Sequence, residues 1–237
     1  QECDHFDDLL LPGLRLAGYD GVFAPKRQSP CIDYGFHSDG VAVLWRTSVF
    51  QQLGVERRVF VESDGTESSR PFLLVLLRHV ALETTLLVGC THMKAKVSQP
   101  MEDLRAVQVA QLLDALQARG AAWADGVLLC GDLNTDPHDV AAKMRAKCVP
   151  TVLAHPLGLR SAYPLPESEA STWWTTWKKR GAYEIKHAID YIFHDAGLRA
   201  VRVLAPPNER ELEPARLPGI RYPSDHLSIL AQMQIFS

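Results

Sequence analysis

Five places in this 237-residue sequence set acids, histidines or an asparagine beside glycine, proline or apolar residues, where they could support chemistry. They are Gln1-Glu2, Thr91-His92-Met93-Lys94, Gly131-Asp132-Leu133-Asn134, Ile189-Asp190-Tyr191-Ile192 and Tyr222-Pro223-Ser224-Asp225-His226. Taken singly, most have an ordinary explanation. Gly-Asp-Leu-Asn is good turn chemistry, because Asp and Asn bond their own backbone. Ser224 and Asp225 would cap a turn, and His92 fits a strand histidine. Asp190 differs, since it stands in the apolar run Ala188 to Phe193, where a carboxylate must be paired or hydrogen-bonded. Together the set is coherent. Oxygen ligands without a Cys–His cluster suit a hard cation, Mg²⁺ with Mn²⁺ as its substitute. Two histidines with buried Asp partners suit phosphate contact and proton transfer. Lys26, Lys94, Lys96, Arg180 and Lys186 would complete an anion-binding wall. Phosphate-ester hydrolysis is the reaction class that uses all of these parts.

The elements that must position them follow from periodicity. Leu9, Leu10, Leu14 and Leu16 predict a short helix ended by Gly18. Val41 to Trp45 and Arg57 to Val61 read as strands, and Phe72 to Val80 with Thr85 to Thr91 as hairpin partners. Gln99 to Arg119 has helical periodicity, with Leu104, Val107, Ala110, Gln111, Leu112 and Leu116 on the core face and Gly120 as the stop. Val127 to Cys130 is a buried strand feeding Gly131. A second helix is predicted from Asp136, with Pro137 at its first position, to about Lys147. Later strands fall at Ala188 to His194, Val201 to Leu204 and Leu227 to Ile235, with Pro-rich loops around Pro150 to Pro166 and Pro206 to Pro223. Trp173, Trp174 and Trp177 read as packing, with one ring stacking on a base as the alternative. Hairpins with interposed long helices predict an α/β sandwich of mostly antiparallel sheets under helices.

Composition sets the outer bounds. Lys and Arg number 25 against 28 Asp and Glu, a formal charge of −3, which argues against a general nucleic-acid glue. No apolar run approaches the roughly 20 residues of a bilayer span, so no membrane partner is expected. Five widely spaced cysteines without a Cys-x-x-Cys pair fit thiols in a reducing compartment. The expectation is one monomeric catalytic domain over residues 1–237. Its compartment is the cytoplasm, or the mitochondrion if a targeting segment precedes Gln1.

The ordered series Gln-Glu, Thr-His, Gly-Asp-Leu-Asn, Ile-Asp-Tyr-Ile and Ser-Asp-His resembles the endonuclease/exonuclease/phosphatase superfamily across essentially the whole chain. Within it, Gly18 to Gly21, Pro25-Lys26, Ser29 to Asp33, Ser38-Asp39-Gly40, Thr91 to Lys96, Thr175 to Lys178, Arg216 to Pro218 and Tyr222 to Ser228 place the chain in the deadenylase-like branch. The resemblance implies a four-layer α/β sandwich, two mostly antiparallel sheets flanked by helices, with the site at one end. It implies that Glu2 binds Mg²⁺, that Asp132 orients or deprotonates the attacking water, and that Asn134 and His92 contact the phosphate. His226 would contact the same phosphate, steadied by Asp190, with Asp225 in or just outside the metal shell. Lys26, Asp39, Lys94, Lys96 and Arg180 would surround the substrate; Lys96 stands where the branch has Arg, which loses the bidentate fork. The implied reaction is removal of the 2′-phosphate from NADP⁺ or NADPH. The alternatives are a 3′-to-5′ poly(A) exoribonuclease acting on RNA, and a non-catalytic nucleotide-binding or interaction module. The family also carries a strand with an Asn upstream of Gln-Glu, so the sequence beginning at Gln1 would lack that strand.

Overall fold

The computed structural model describes residues 1–137, 144–165, 173–212 and 214–236. A π-type turn, Phe6–Leu10, runs into α1 (Leu11–Leu16), followed by β1 (Tyr19–Pro25), α2 (Pro30–Asp33) and β2 (Gly40–Arg46). Then come β3 (Phe50–Val61), β4 (Glu67–His79), β5 (Thr85–His92), α3 (Gln99–Trp123) and β6 (Gly126–Asp132). The second half holds α4 (Cys148–Ala154), β7 (Arg160–Ser161), β8 (Thr176–Arg180), β9 (Tyr183–His187) and β10 (Asp190–His194). It ends on β11 (Leu198–Val203), a 3₁₀ turn at Glu209–Glu211 and β12 (Ala231–Ile235). No helix is long and apolar enough to cross a membrane among the described residues.

Six strands form one mixed sheet in the order β3-β4-β5-β6-β10-β7, and β1–β2, β8–β9 and β11–β12 are two-stranded ladders. Within the large sheet β5 and β6 run parallel, which requires a crossover, and α3 supplies it. Strand alternation sends Phe72, Leu74, Leu87, Val127 and Leu129 toward α3, where they meet Val109, Leu112, Leu113 and Leu116. The other face carries Leu73, Val75, Leu77 and Cys90 against Val22, Ala24, Val41 and Trp45 of the β1–β2 ladder. Gly126 lies on that second face too, and a Cβ there would sit 2.8 Å from Leu198 Cγ, so β11 covers the same side. The expected second sheet is therefore seen as two separate ladders over one face of a large sheet, with α3 on the opposite face.

The structure corrects several local expectations. The buried stripe of α3 is Glu102, Arg105, Gln108, Val109, Leu112, Leu113, Ala115, Leu116 and Gly120, whereas Val107 is 51% exposed. The stripe holds helical spacing, but its first turns are filled by an ion pair, Arg105 Nε donating to Glu102 Oε2 at 3.0 Å. Gly120 does not stop the helix, which continues to Trp123. It is a close-approach residue instead, since a Cβ there would lie 2.9 Å from Val127 Cγ2. Of the helix expected from Asp136 to Lys147, residues 138–143 lie outside the described residues, and Pro137 and residues 144–147 are not helical. A helix forms at Cys148–Ala154, in a stretch whose prolines suggest a loop. Pro150 is compatible because it occupies the first turn, where backbone N–H groups have no intrahelical partner. The backbone amides of Lys147 and Cys148 both donate to Glu102 Oε1 at 2.8 Å, which satisfies that helix start.

Candidate functional site

Strand register alone brings three of the expected residues abreast. His92 is opposite Asp132 in the parallel β5–β6 pairing, and Asp132 is opposite Asp190 in the antiparallel β6–β10 pairing. All three project from the face covered by the ladders, because Asp132 is an even number of residues from Gly126 and Cys130. Gly131 is required by the crowding here: a Cβ would sit 2.2 Å from the Thr91 carbonyl oxygen. The chain then turns sharply. Asn134 adopts a left-handed φ of 51°, which Asn tolerates better than most residues. Its backbone N–H donates to Asp132 Oδ1 at 2.7 Å, and its Nδ2 donates to Asp132 Oδ2 and to the Met93 carbonyl, each at 3.1 Å. Tyr191 Oη fastens the same turn to β10, donating to the carbonyls of Thr135 and Ala188 at 2.8 and 2.7 Å.

His226 arrives from a loop held by the β8–β9 hairpin. Thr176 bridges His226, Thr176 Oγ1 donates to the Asp225 carbonyl at 2.7 Å, and the His226 amide donates to Ser224 Oγ at 3.1 Å. The imidazole then meets Asp190, Nδ1 to Oδ2, at 2.8 Å. One ligand atom each from Asp132, Asp190 and His226 lies within 4.8 Å of the others. Together with Gln1, Glu2 and residues 224–229 they line a cleft of about 450 Å³ in the gap between the ladders. Glu2 also has a left-handed φ of 51°. Backbone strain of this kind gathers at functional sites.

The electrostatics follow from burial first and from neighbouring charges second. Burial, and then the negative charges of Asp190 and Glu2, push Asp132 up to about 7 against the opposing pull of His226 and the Asn134 amide. Burial works to lower His226, but the hydrogen bond and charge of Asp190 outweigh it and the imidazole titrates above its ordinary value. His92 behaves oppositely. Burial, and then the charges of Arg70 and Lys26, push it down to about 3, so it is neutral, with Nε2 3.6 Å from Asp132 Oδ2. Glu2, Asp132 and Asp190 on one cleft, with Asp132 raised by burial and then by its acidic neighbours, form a hard oxygen donor set that a divalent cation would relieve.

The remaining expected residues fall into three groups. Lys26 and Asp39 are brought beside His92, but as a buried ion pair with each other, Asp39 also accepting from Ser29 Oγ. Burial would raise Asp39, yet these two partners hold its carboxyl below the usual range. Lys94 and Lys96 are exposed on the loop after β5, whose position is set by Arg105 Nη1 donating to their carbonyls at 2.7 and 3.0 Å. Arg180 is exposed at the tip of the β8–β9 hairpin and does not line the cleft. Lys186 pairs with Glu209 and lies over the Trp177 ring, so it is not part of an anion-binding wall. Trp174 and Trp177 pack with Leu212 and Leu217, and Trp173 stacks on Tyr163. Asp225 lines the cleft and pairs with Lys178 at 2.6 Å, a rim cation that its strand position disguises in the sequence. Arg70 also escapes sequence reading. Its charge acts on Glu2, Asp39 and Asp132, and its buried Nη1 has no hydrogen-bond partner.

The sequence matches the Endonuclease/Exonuclease/phosphatase family over residues 1–226. It is 32% identical to nocturnin of Xenopus laevis over 235 residues, covering 97% of this chain and 58% of the frog protein. In three dimensions it is similar to the human nocturnin catalytic domain with bound sulfate. That match has a TM-score of 0.80 and 26% identity, and covers 100% of this chain and 79% of that one. The structure of ANGEL2, a 2′,3′-cyclic phosphatase, in complex with adenosine-2′,3′-vanadate shares the fold at a TM-score of 0.75 and 20% identity, covering 98% of this chain and 79% of that one. The chain spans about half the length of the curated relatives it matches.

Proposed function

This chain belongs to the endonuclease/exonuclease/phosphatase family, and we propose that it is a metal-dependent phosphoric-ester hydrolase that removes the 2′-phosphate of NADP⁺ and NADPH, leaving NAD⁺ and NADH. The observation that carries the reading is the convergence of Asp132, Asp190 and His226 on one cleft with Glu2 on its wall. His226 Nδ1–H donates to Asp190, which leaves Nε2 to face a phosphoryl oxygen. An imidazole held above its ordinary pKa is protonated over a wider range, so it can donate to the charge that develops as the P–O bond breaks. Asp132, near neutrality in its titration, is suited to orient the attacking water and accept its proton. Asn134 fixes Asp132, and His92, neutral beside it, offers a hydrogen bond without adding charge. A hard cation held by Glu2 and the neighbouring carboxylates, Mg²⁺ or Mn²⁺, would supply Lewis-acid polarisation of the phosphate when bound.

The substrate assignment rests on the similarity to nocturnin and on cations carried by the segments that adjoin the cleft. Lys94 and Lys96 project from a pinned loop, and Lys178 stands at the rim, as a dinucleotide with several phosphates requires. The test is phosphate release from NADPH with Mg²⁺, run beside a 5′-labelled poly(A) oligonucleotide and a Glu2→Ala control. Free phosphate from NADPH, intact RNA, and loss of turnover in EDTA and in Glu2→Ala are expected. A shortened RNA ladder without phosphate release assigns the cleft to 3′-to-5′ exoribonuclease chemistry instead. Turnover that survives EDTA removes the metal from the reaction.

A further inference from the structure

A second convergence of ligating side chains lies outside the catalytic cleft. The turn that opens the chain presents His5 and Asp8 three residues apart, and the loop before β2 brings His37 to meet them. His5 Nδ1 is 2.9 Å and His37 Nε2 3.4 Å from the same oxygen, Asp8 Oδ2. The two imidazoles stand edge to face with centroids 5.0 Å apart, and one ligand atom from each of the three residues lies within 4.8 Å of the others. A tetrahedral ion with bonds of about 2.0–2.1 Å holds its ligands roughly 3.3 Å apart, so these spacings are those of a coordination shell. Two neutral imidazoles and one carboxylate are borderline donors. They suit Zn²⁺ and its d-block neighbours and disfavour Mg²⁺, which requires oxygen. Asp8 and His37 are both exposed, so an ion can reach them, and they border an open cleft of about 490 Å³ that leaves room for a coordinated water.

We propose that His5, Asp8 and His37 form a binding site for a zinc-class divalent cation, distinct from the carboxylate cleft. Its place in the fold gives it a consequence. Cys3 and Gly40 exchange two backbone hydrogen bonds, 3.2 and 2.9 Å, which tie the opening segment to the start of β2. Glu2 precedes one of these residues and Asp39 the other. An ion on His5, Asp8 and His37 would clamp the same two segments from the other side, and so hold Glu2 against the cleft without touching substrate.

The experiment titrates metal-stripped protein with Zn²⁺ by calorimetry in millimolar Mg²⁺, which competes for the carboxylates of the catalytic cleft. One Zn²⁺ per chain is expected in the unsubstituted protein. Because outer-shell changes alone cost about 10–100-fold in metal affinity, His37→Ala and Asp8→Asn should lose at least tenfold, while Glu2→Gln keeps the site. Co²⁺ loaded in place of Zn²⁺ should give tetrahedral visible absorption that His37→Ala abolishes. Equal Zn²⁺ affinity in the unsubstituted and His37→Ala proteins, or loss of the site in Glu2→Gln, overturns the proposal. Both His37 and Asp8 are exposed, so circular dichroism of the variants should match the parent.

Discussion

Asp132 and Asp190 face each other as the end pair of a ladder of five consecutive residue pairs, between the third strand of the large sheet and its far edge. Lys94 and Lys96, which form a second wall of the site on the proposed reading, hang from the loop after His92, held at its backbone by one buried arginine. The first wall cannot move without breaking strand pairing, and a slip of one residue would turn every acid to the wrong face. The second can change its side chains at almost no cost to the fold. On the proposed reading, reaction chemistry sits where register is fixed, and substrate choice where it is adjustable. Asp225 and His226 belong to an intermediate case: a loop, but one pinned to the β8–β9 hairpin through Thr176.

The sharpest way to break this division is to remove the group that spans it. His226→Ala is expected to lower kcat for phosphate release by about 10²–10⁴-fold, the range for a positioned acid–base group, and to lower the unfolding midpoint as well, because Asp190 loses its partner. A loss of less than tenfold would move proton donation elsewhere in the cleft. Next in size is Arg105→Met. Arg105 is fully buried, and breaking a buried ion pair at one partner costs about 3–5 kcal/mol. Glu102 keeps hydrogen bonds from Thr135, Lys147 and Cys148, so the lower end of that range is expected in urea unfolding. Because the same guanidinium sets the Lys94–Lys96 loop, KM should rise as well. Destabilisation without a change in KM would show that the loop holds its position by other means.

A pH profile separates the walls by sign. Burial lowers His226, but Asp190 more than offsets it, so the imidazolium persists to higher pH than an ordinary histidine. The same linkage makes its contribution to stability complete below the unfolded pKa and lost as pH rises through the higher folded one. If His226 acts as the acid, activity falls along the same limb. Asp190→Asn removes the carboxylate charge, and the basic limb of kcat should move to lower pH. A limb that stays in place, measured by initial rates across the range, would assign it to another group.

The same contrast explains what was legible in the sequence. Gly131-Asp132-Leu133-Asn134 is readable because a turn and a reaction require the same residues there, and the Thr91 carbonyl leaves no room for a side chain at Gly131. Asp190 is readable because an acid inside an apolar strand demands a partner, and His226 is that partner. Glu102 and Arg105 are not readable in this way. On a helix, acids and bases three apart look like a solvated face, and only the three loops they stitch together reveal them as core. Arg70 and Lys178 escape for a related reason: a cation in a strand signals nothing until the fold shows which acid it faces. The second sheet is illegible because alternation specifies that a strand pairs, and says nothing of whether two ladders join.

The smallest expected effect tests the adjustable wall itself. Lys94, Lys96 and Arg180 are alike in sequence terms, three cations in loops or at strand ends. The fold separates them. Lys94 and Lys96 follow directly from His92, and their carbonyls are fixed by Arg105, so their side chains start from a defined backbone. Arg180 pairs with Tyr183 at a hairpin tip whose turn glycine, Gly181, has a φ of +62°, and its side chain is exposed. An exposed charge is screened within about 8–10 Å at physiological salt. Lys94→Ala and Lys96→Ala should therefore raise KM for NADPH several-fold with kcat nearly unchanged, the signature of lost uniform binding. Arg180→Ala should change KM less than either. If Arg180→Ala raises KM as much as the two lysine variants, the hairpin tip must fold over the cleft when substrate is bound, and the adjustable wall extends across both ends of the site.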